Sequence, residues 1–417
     1  MRFLPWAMVL VAGTLAGTTT CAAFVVRRRM LALVGAAGTL ATILLAVAVA
    51  VIWKQSGRAD TVIASVFITL GALAGGYALA SALLPALTRP RSSHPVLGPV
   101  EDGAAIGVVL LADAANDDYA ARDVTRDLEA YERAEVPLPP YIARPFVYGS
   151  ERARYRTAGG NPARRAVREI AASLGARLAE EGLAGPVEVA FCQGGPSAAE
   201  AVARLAARSG GHIVVARLSV ARTHPFDVAA AEVHALDPAG SRAVVEYTDP
   251  VWASHAIAVR AAQSAMEAFG DSEIADGVVL VSRGNPWQFD RLFLDAMEQT
   301  TFLAQRIRAE LIEAGLPAER VRQAWLEWEE PDVPEAVRHL AALGAKHVAL
   351  LAIDLLFPEL ATKVDLPMAV ERAMAESIVR VAVAQPLGDD PAIIGALRRS
   401  VVEAVRRMQS GRGVSSR

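Results

Sequence analysis

The sequence predicts two Rossmann-like α/β lobes with parallel sheets, preceded by an all-α transmembrane region. Three observations predict it. The first ninety residues hold three apolar segments without internal charge, 4–26, 31–53 and 61–87. Each is close to the twenty residues that cross a bilayer core. From residue 104, short apolar runs alternate with longer amphipathic stretches, the pattern of parallel strands covered by helices. The alternation restarts near residue 276 without a close internal sequence repeat, so the halves are similar in architecture only.

The apolar region comes first. Arg2 alone precedes its first segment, the run is too long for a signal peptide, and two similar runs follow. Thr18, Thr19 and Thr20 before Cys21 do not form a lipoprotein cleavage site. Gly71, Gly75 and Gly76, with Ala72 and Ala74, give the third segment a small-residue face for close helix packing. Arg27, Arg28, Arg29, Arg89 and Arg91 lie on one side, against Arg2, Lys54 and Arg58 on the other. The excess of positive charge puts that first side, and the large carboxyl-terminal domain, in the cytoplasm. The expectation is a multi-pass cell-membrane protein with the lipid bilayer as a partner. Three spans where one would anchor point further to a membrane protein partner or a lipid-soluble substrate.

The remaining boundaries follow in order. Residues 1–89 are the three spans and 90–103, rich in Pro, Ser and charge, a linker. A first lobe covers 104–275, with strands at 105–112, 187–192 and 212–218 and helices at 162–181 and 197–208. A second lobe covers 276–410, with strands at 277–282, 322–326, 347–353 and 379–384. Helices separate them at 291–314, 334–343 and 366–375, and 391–408 is a final helix. Residues 223–251 show no clear pattern, and 411–417 is a polar, disordered tail.

Composition excludes several functions. A net charge of −3 without a dominant basic face argues against nucleic acid. Cys21 and Cys192 are the two cysteines, too few for a disulfide framework or a cysteine zinc site. There is no Walker loop, no GxGxxG after the first strand and no GxSxG elbow. Gly194-Gly195-Pro196-Ser197 opens a helix after a strand, which a plain turn explains. The informative stretch is 278–290, VVLVSRGNPWQFD. A buried parallel strand ends there in a tight loop, at the end of an α/β sheet where ligands bind, and the loop carries Arg283.

Six motifs in order resemble those of the ferrochelatase family, class II chelatases that insert ferrous iron into a porphyrin. They are Tyr155 to Pro162 (YRTAGGNP), Phe191 to Ser197, Ser282 to Pro286 (SRGNP), Trp328 to Glu335, Phe357-Pro358-Glu359 with Asp365 and Glu371, and Asp389-Asp390-Pro391. The resemblance covers about 104–410 and implies a chelatase-like fold with the tetrapyrrole between the lobes. It carries Tyr155, Gly160, Asn161, Pro162, Ser282, Trp287 and Trp328 over as substrate-binding positions. It implies no permanently bound cofactor; ferrous iron would be a substrate.

The resemblance also places the family's catalytic glutamate at Glu359 and its catalytic histidine at Arg283. Arginine has no acceptor and neither ligates a cation nor takes a proton. Leu360 and Thr362 stand where the family has further histidine and glutamate, and the first-strand loop Asp113-Ala114-Ala115-Asn116 departs from its pattern. Glu359 is then a metal or proton-handling carboxylate, with Arg283 either its salt-bridge partner or a holder of an anionic substrate group. His224, with Asp227 and Glu359, is a candidate metal set; the competing reading is a solvated loop histidine. Trp287, Trp325 and Trp328 suit either macrocycle stacking or packing. Two functions follow: a membrane-anchored enzyme of haem biosynthesis, or a homologue that binds a tetrapyrrole or a membrane partner without metallation.

Overall fold

The computed structural model describes residues 4–56, 58–89, 95, 106–183, 187–208, 211–236, 243–270, 274–292 and 294–410. The tail 411–417 and almost all of the linker, His94 included, lie outside the described residues. Two compact units make up the chain, one of residues 1–92 and 118–160, the other of 93–117 and 161–417.

The first unit holds three helices long and apolar enough to cross a membrane: α1 (Leu4–Val25), α2 (Arg28–Ser56) and α3 (Ala59–Thr88). Close packing of α1 on α3 runs through small residues. A Cβ on Gly17 would overlap the Leu73 carbonyl, one on Gly76 would overlap the Thr14 carbonyl, and Gly13 lies against Ala72. Gly13 and Gly17 form a GxxxG pair on α1. The expected face on α3 is narrower than the sequence suggested. Ala72 and Gly76 make the contact, whereas a Cβ on Gly71 or Gly75 would meet nothing within 4 Å.

Residues 118–160 interrupt the span 104–275 and pack with these helices. They form α4 (Ala121–Arg133), a 3-10 turn at Tyr141–Ala143 and α5 (Arg144–Ala158). Helix α5 docks on the end of α1. Arg152 donates to the carbonyls of Ala23 (2.5 Å) and Val26 (3.1 Å), and Tyr119 Oη to that of Val25 (2.9 Å). Carbonyls at a helix end that lack intrahelical partners are thereby satisfied.

The second unit carries two four-stranded parallel sheets of identical topology. The first is β1 (Gly107–Ala112), β2 (Val187–Phe191), β3 (His212–Leu218) and β4 (Val244–Tyr247), in the order β2-β1-β3-β4. The second is β5 (Gly277–Ser282), β6 (Val321–Trp325), β7 (His347–Ala352) and β8 (Arg380–Val383), in the order β6-β5-β7-β8. The central strands are apolar throughout because both faces are covered. Val108 and Leu110 of β1 join a core shared with Val278 and Leu280 of β5, while Val109 and Leu111 face the opposite layer. The helices of this unit are α6 (Ala163–Glu180), α7 (Ala198–Ala206), α8 (His224–His234), α9 (His255–Met266), α10 (Trp287–Leu292), α11 (Leu294–Glu313), α12 (Val333–Ala342), α13 (Leu366–Glu376) and α14 (Pro391–Gln409). Helix α14, read from sequence as part of the second lobe, packs on β3 and β4, where Arg407 pairs with Glu246 at 2.6 Å.

The patternless stretch 223–251 is ordered as α8 and β4. Helix α8 starts with Pro225 in its first turn. Strand β4 is four residues long with Glu246 inside it, too short and too mixed to show a period.

Candidate functional site

In both sheets the strand order reverses beside the first strand, so a crevice opens at the carboxyl ends of β1 and β3, and of β5 and β7. The second of these crevices holds the charged cluster. Strand β5 ends at Ser282, which is 3% exposed, and its hydroxyl has no hydrogen-bond partner among the described residues. The backbone then turns at Gly284, at φ 85°. A side chain there would overlap the Glu327 carbonyl oxygen, because the loop is tied to the one after β6. Leu326 N donates to Ser282 O and Glu327 N to Arg283 O, each at 3.0 Å.

The Arg283 backbone N–H donates across the crevice to the Asp354 carboxylate, at 2.9 and 3.2 Å. Asp354 is the second residue after β7. The Arg283 guanidinium donates to Glu359 Oε1 in an ion pair. Its side chain is 44% exposed against 11% for Glu359. Glu359 is held by its own turn: its N–H donates to Thr362 Oγ1, and the Thr362 hydroxyl donates back to Glu359 O, both at 2.9 Å. A π-helical turn at Ala361–Asp365 follows, a feature common at functional sites.

The electrostatics are one-sided. The Glu359 carboxylate, with Asp113 after β1 and Asp354, raises Arg283 above the ordinary arginine range against the opposing effect of burial. Burial pushes Asp354 up to about 6; hydrogen bonding from the Arg283 amide and the nearby guanidinium pull the other way, and Glu359 adds to the rise. Asp354 and Glu359 thus both meet Arg283 at the end of β5.

The other expected site residues are dispersed. Asn161 is buried; its amide reaches Ala115 O at 3.4 Å and its Oδ1 accepts from Ala163 N at 3.1 Å. Pro162 precedes α6, and Gly160 has φ 114°. Tyr155 belongs to the unit of the three apolar helices, 7% exposed and edge-on to Tyr119. Trp287 opens α10 and Trp328, at φ 69°, follows β6; they are 59% and 52% exposed, while Trp325 ends β6 half-buried.

The set of His224, Asp227 and Glu359 is not assembled. Among the described residues no three His, Cys, Asp or Glu side chains gather to hold a metal. The cause is local. Thr223 starts a helix rather than a loop, the His224 ring lies 5.5 Å from that of Phe289, and Asp227 turns back to Arg222 at 2.9 Å.

Two contributors went unnoticed in the sequence. Asp354 carried a signal, a carboxylate directly after a buried apolar strand. Arg164, 7% exposed on α6, had none. It donates to the carbonyls of Ala115 (3.2 Å), Gln193 (2.5 Å) and Gly195 (2.8 Å) and lies over the Phe191 ring. It fixes the loops after β1 and β2 together.

The family whose model matches is CbiX, over residues 295–404, within the second lobe. No curated protein matches the chain. Solved structures similar to it include SirB from Bacillus subtilis with Fe3+, at 15% identity over 73% of this chain and 98% of that one, with a TM-score of 0.47. DR2241 from Deinococcus radiodurans aligns at 16% identity over 72% of this chain and 56% of that one, with a TM-score of 0.47. The sirohydrochlorin chelatase SirB from Bacillus subtilis subspecies spizizenii, in complex with cobalt, aligns at 12% identity over 73% and 97%, with a TM-score of 0.44.

Proposed function

We propose that the chain is a membrane-anchored chelatase-like protein that inserts a divalent metal into a tetrapyrrole at the carboxyl ends of β1, β5 and β7. One observation carries this reading: Asp354 and Glu359, both following β7, meet Arg283 at the end of β5. Metallation releases two pyrrole protons, and a carboxyl group titrating near neutral pH is suited to take one. Asp354, pushed to about 6, has that property without a histidine. The CbiX match supports the class of reaction. Ferrous iron and a porphyrin, in haem biosynthesis, are the finer case that the motif order favours, with Glu359 catalytic and Trp287 and Trp328 flanking the macrocycle.

A second reading is tetrapyrrole binding without metallation. It is favoured by the Arg283–Glu359 ion pair, which occupies the glutamate with a group that cannot ligate metal.

Purified full chain in lipid nanodiscs, mixed anaerobically with protoporphyrin or sirohydrochlorin and ferrous or cobaltous ion, separates the two by absorbance. Metallation lost in Glu359→Ala and Asp354→Asn supports the first. Tetrapyrrole binding with no metallation, and metallation gained in Arg283→His, supports the second. Absence of tetrapyrrole binding in every variant overturns both.

A further inference from the structure

The first unit presents an apolar surface beside, rather than within, the three long helices. Tyr141 and Ile142 are each 52% exposed and Phe146 56%. Pro137, Pro139 and Pro140, just before them, are exposed as well. In water such a patch is a liability, and its position says what covers it.

Phe146 packs on Phe24 of α1 with ring centroids 4.9 Å apart. Phe24 precedes Arg27 by three residues, roughly 4.5 Å along a helix, so Phe146 sits at the depth where apolar span gives way to charge. The turn Tyr141–Ala143 packs against α3. The end of α3 also meets α4, just before this turn in the chain, through Thr88 with Thr125 and Arg89 with Glu129 at 2.9 Å. Both contacts lie at the arginine-bearing ends of the spans.

The chemistry of the patch suits a bilayer interface. Tyr and Phe at this depth match the aromatic belts of membrane proteins. The three prolines present no backbone N–H, so the exposed run asks for few hydrogen bonds in a low-dielectric layer. The one cation within it is withdrawn. The Arg144 guanidinium lies over the Tyr141 ring at 3.8 Å and pairs with Glu132 at 2.5 Å.

We infer that residues 137–146 form a collar seated in the headgroup layer of the bilayer, inserting Tyr141, Ile142 and Phe146 among the lipids. The inference rests on α1, α2 and α3 being membrane spans. The collar lies within the crossover between β1 and β2, so the chelatase-like unit is joined to membrane-seated chain at 117–118 and 160–161 in addition to the linker after α3.

Spin labelling of the full chain in phosphatidylcholine–phosphatidylglycerol nanodiscs tests it, in a background carrying Cys21→Ser and Cys192→Ser. Labels go at Ile142→Cys, at Leu40→Cys on the exposed face of α2 and at Ala314→Cys, exposed on the other unit. Pro139→Cys replaces Ile142→Cys if the latter fails to fold. The expected result is that the label at 142 collides with oxygen and is shielded from a water-soluble nickel chelate, as at 40 and unlike 314. A label at 142 that behaves like 314 while 40 remains lipid-exposed overturns the collar alone. Shielding from both reagents means a protein partner covers the patch and overturns the lipid assignment. Water exposure at 40 as well removes the spans and the collar together.

Discussion

The Arg283 guanidinium holds the Glu359 carboxylate at the point where the second sheet reverses its strand order, while the amide of the same arginine is held by Asp354. One residue thus links the loop after β5 to two acids that follow β7. Arg283 is half-exposed and Glu359 nearly covered, so the pair lies between a screened surface bridge and a buried one. Arg283→Ala is expected to destabilise the chain by about 1–3 kcal/mol, mainly by leaving Glu359 unpaired. Arg283→Ala combined with Glu359→Gln should recover much of that loss. Thermal denaturation of the purified variants reads both; equal midpoints for wild type and Arg283→Ala would show that the pair contributes nothing.

Asp354 gives the site a pH dependence of definite sign. Its folded-state pKa of about 6 lies above its ordinary value of 3.8 because it is buried. Between these values the folded state holds more protons than the unfolded one, so the contribution of Asp354 to stability falls as pH rises through this window. Above about 6 it stays at its lower level. Asp354→Asn keeps an acceptor for the Arg283 amide and removes the titration. The difference in thermal midpoint between wild type and variant should therefore change from pH 4.5 to 6.5 and be flat from 7 to 8. A constant difference across the whole range would place the titration elsewhere.

Gly284 is required by geometry. It has φ 85°, and a methyl group would overlap the Glu327 carbonyl. Gly284→Ala is expected to cost about 1–3 kcal/mol and to weaken the proposed tetrapyrrole binding, because Arg283 and the loop carrying Trp328 move together. Binding is read by absorbance titration. Unchanged affinity and midpoint would mean the loop relaxes without strain.

The α1–α3 contact separates two kinds of glycine. Gly76→Leu should disrupt the pairing and lower the detergent-solubilised yield of monodisperse protein severalfold. Gly75→Ala, which adds a methyl group in open space, should stay within about 0.5 kcal/mol of wild type. Size-exclusion profiles and thermal midpoints compare them, and similar behaviour of the two variants would refute the packing.

Strands β1, β3, β5 and β7 were legible because a strand buried on both faces must be apolar along its whole length. Strand β4 was not, with Glu246 in a four-residue stretch whose charge is answered by Arg407 on the last helix. Helices α4 and α5 were missed for a related reason. They are charged and amphipathic, and what orders them lies elsewhere in the chain: the end of α3 for α4, through Thr88 and Arg89, and the end of α1 for α5. The Arg283–Glu359 pairing was anticipated from the order of motifs. The place of Asp354 beside it was not, and the set containing His224 dissolved once Thr223 proved to start a helix.

The sequence by itself determined the three apolar helices, the two-lobed parallel α/β architecture and the guanidinium of Arg283 in the loop after β5. Periodicity, span length and residue chemistry are local properties, written in consecutive residues. Tertiary structure alone decided which acids gather around Arg283, which glycines meet across α1 and α3, and that 118–160 packs with the apolar helices. Those outcomes depend on side chains from distant segments sharing one small volume, where burial, charge and steric overlap act together.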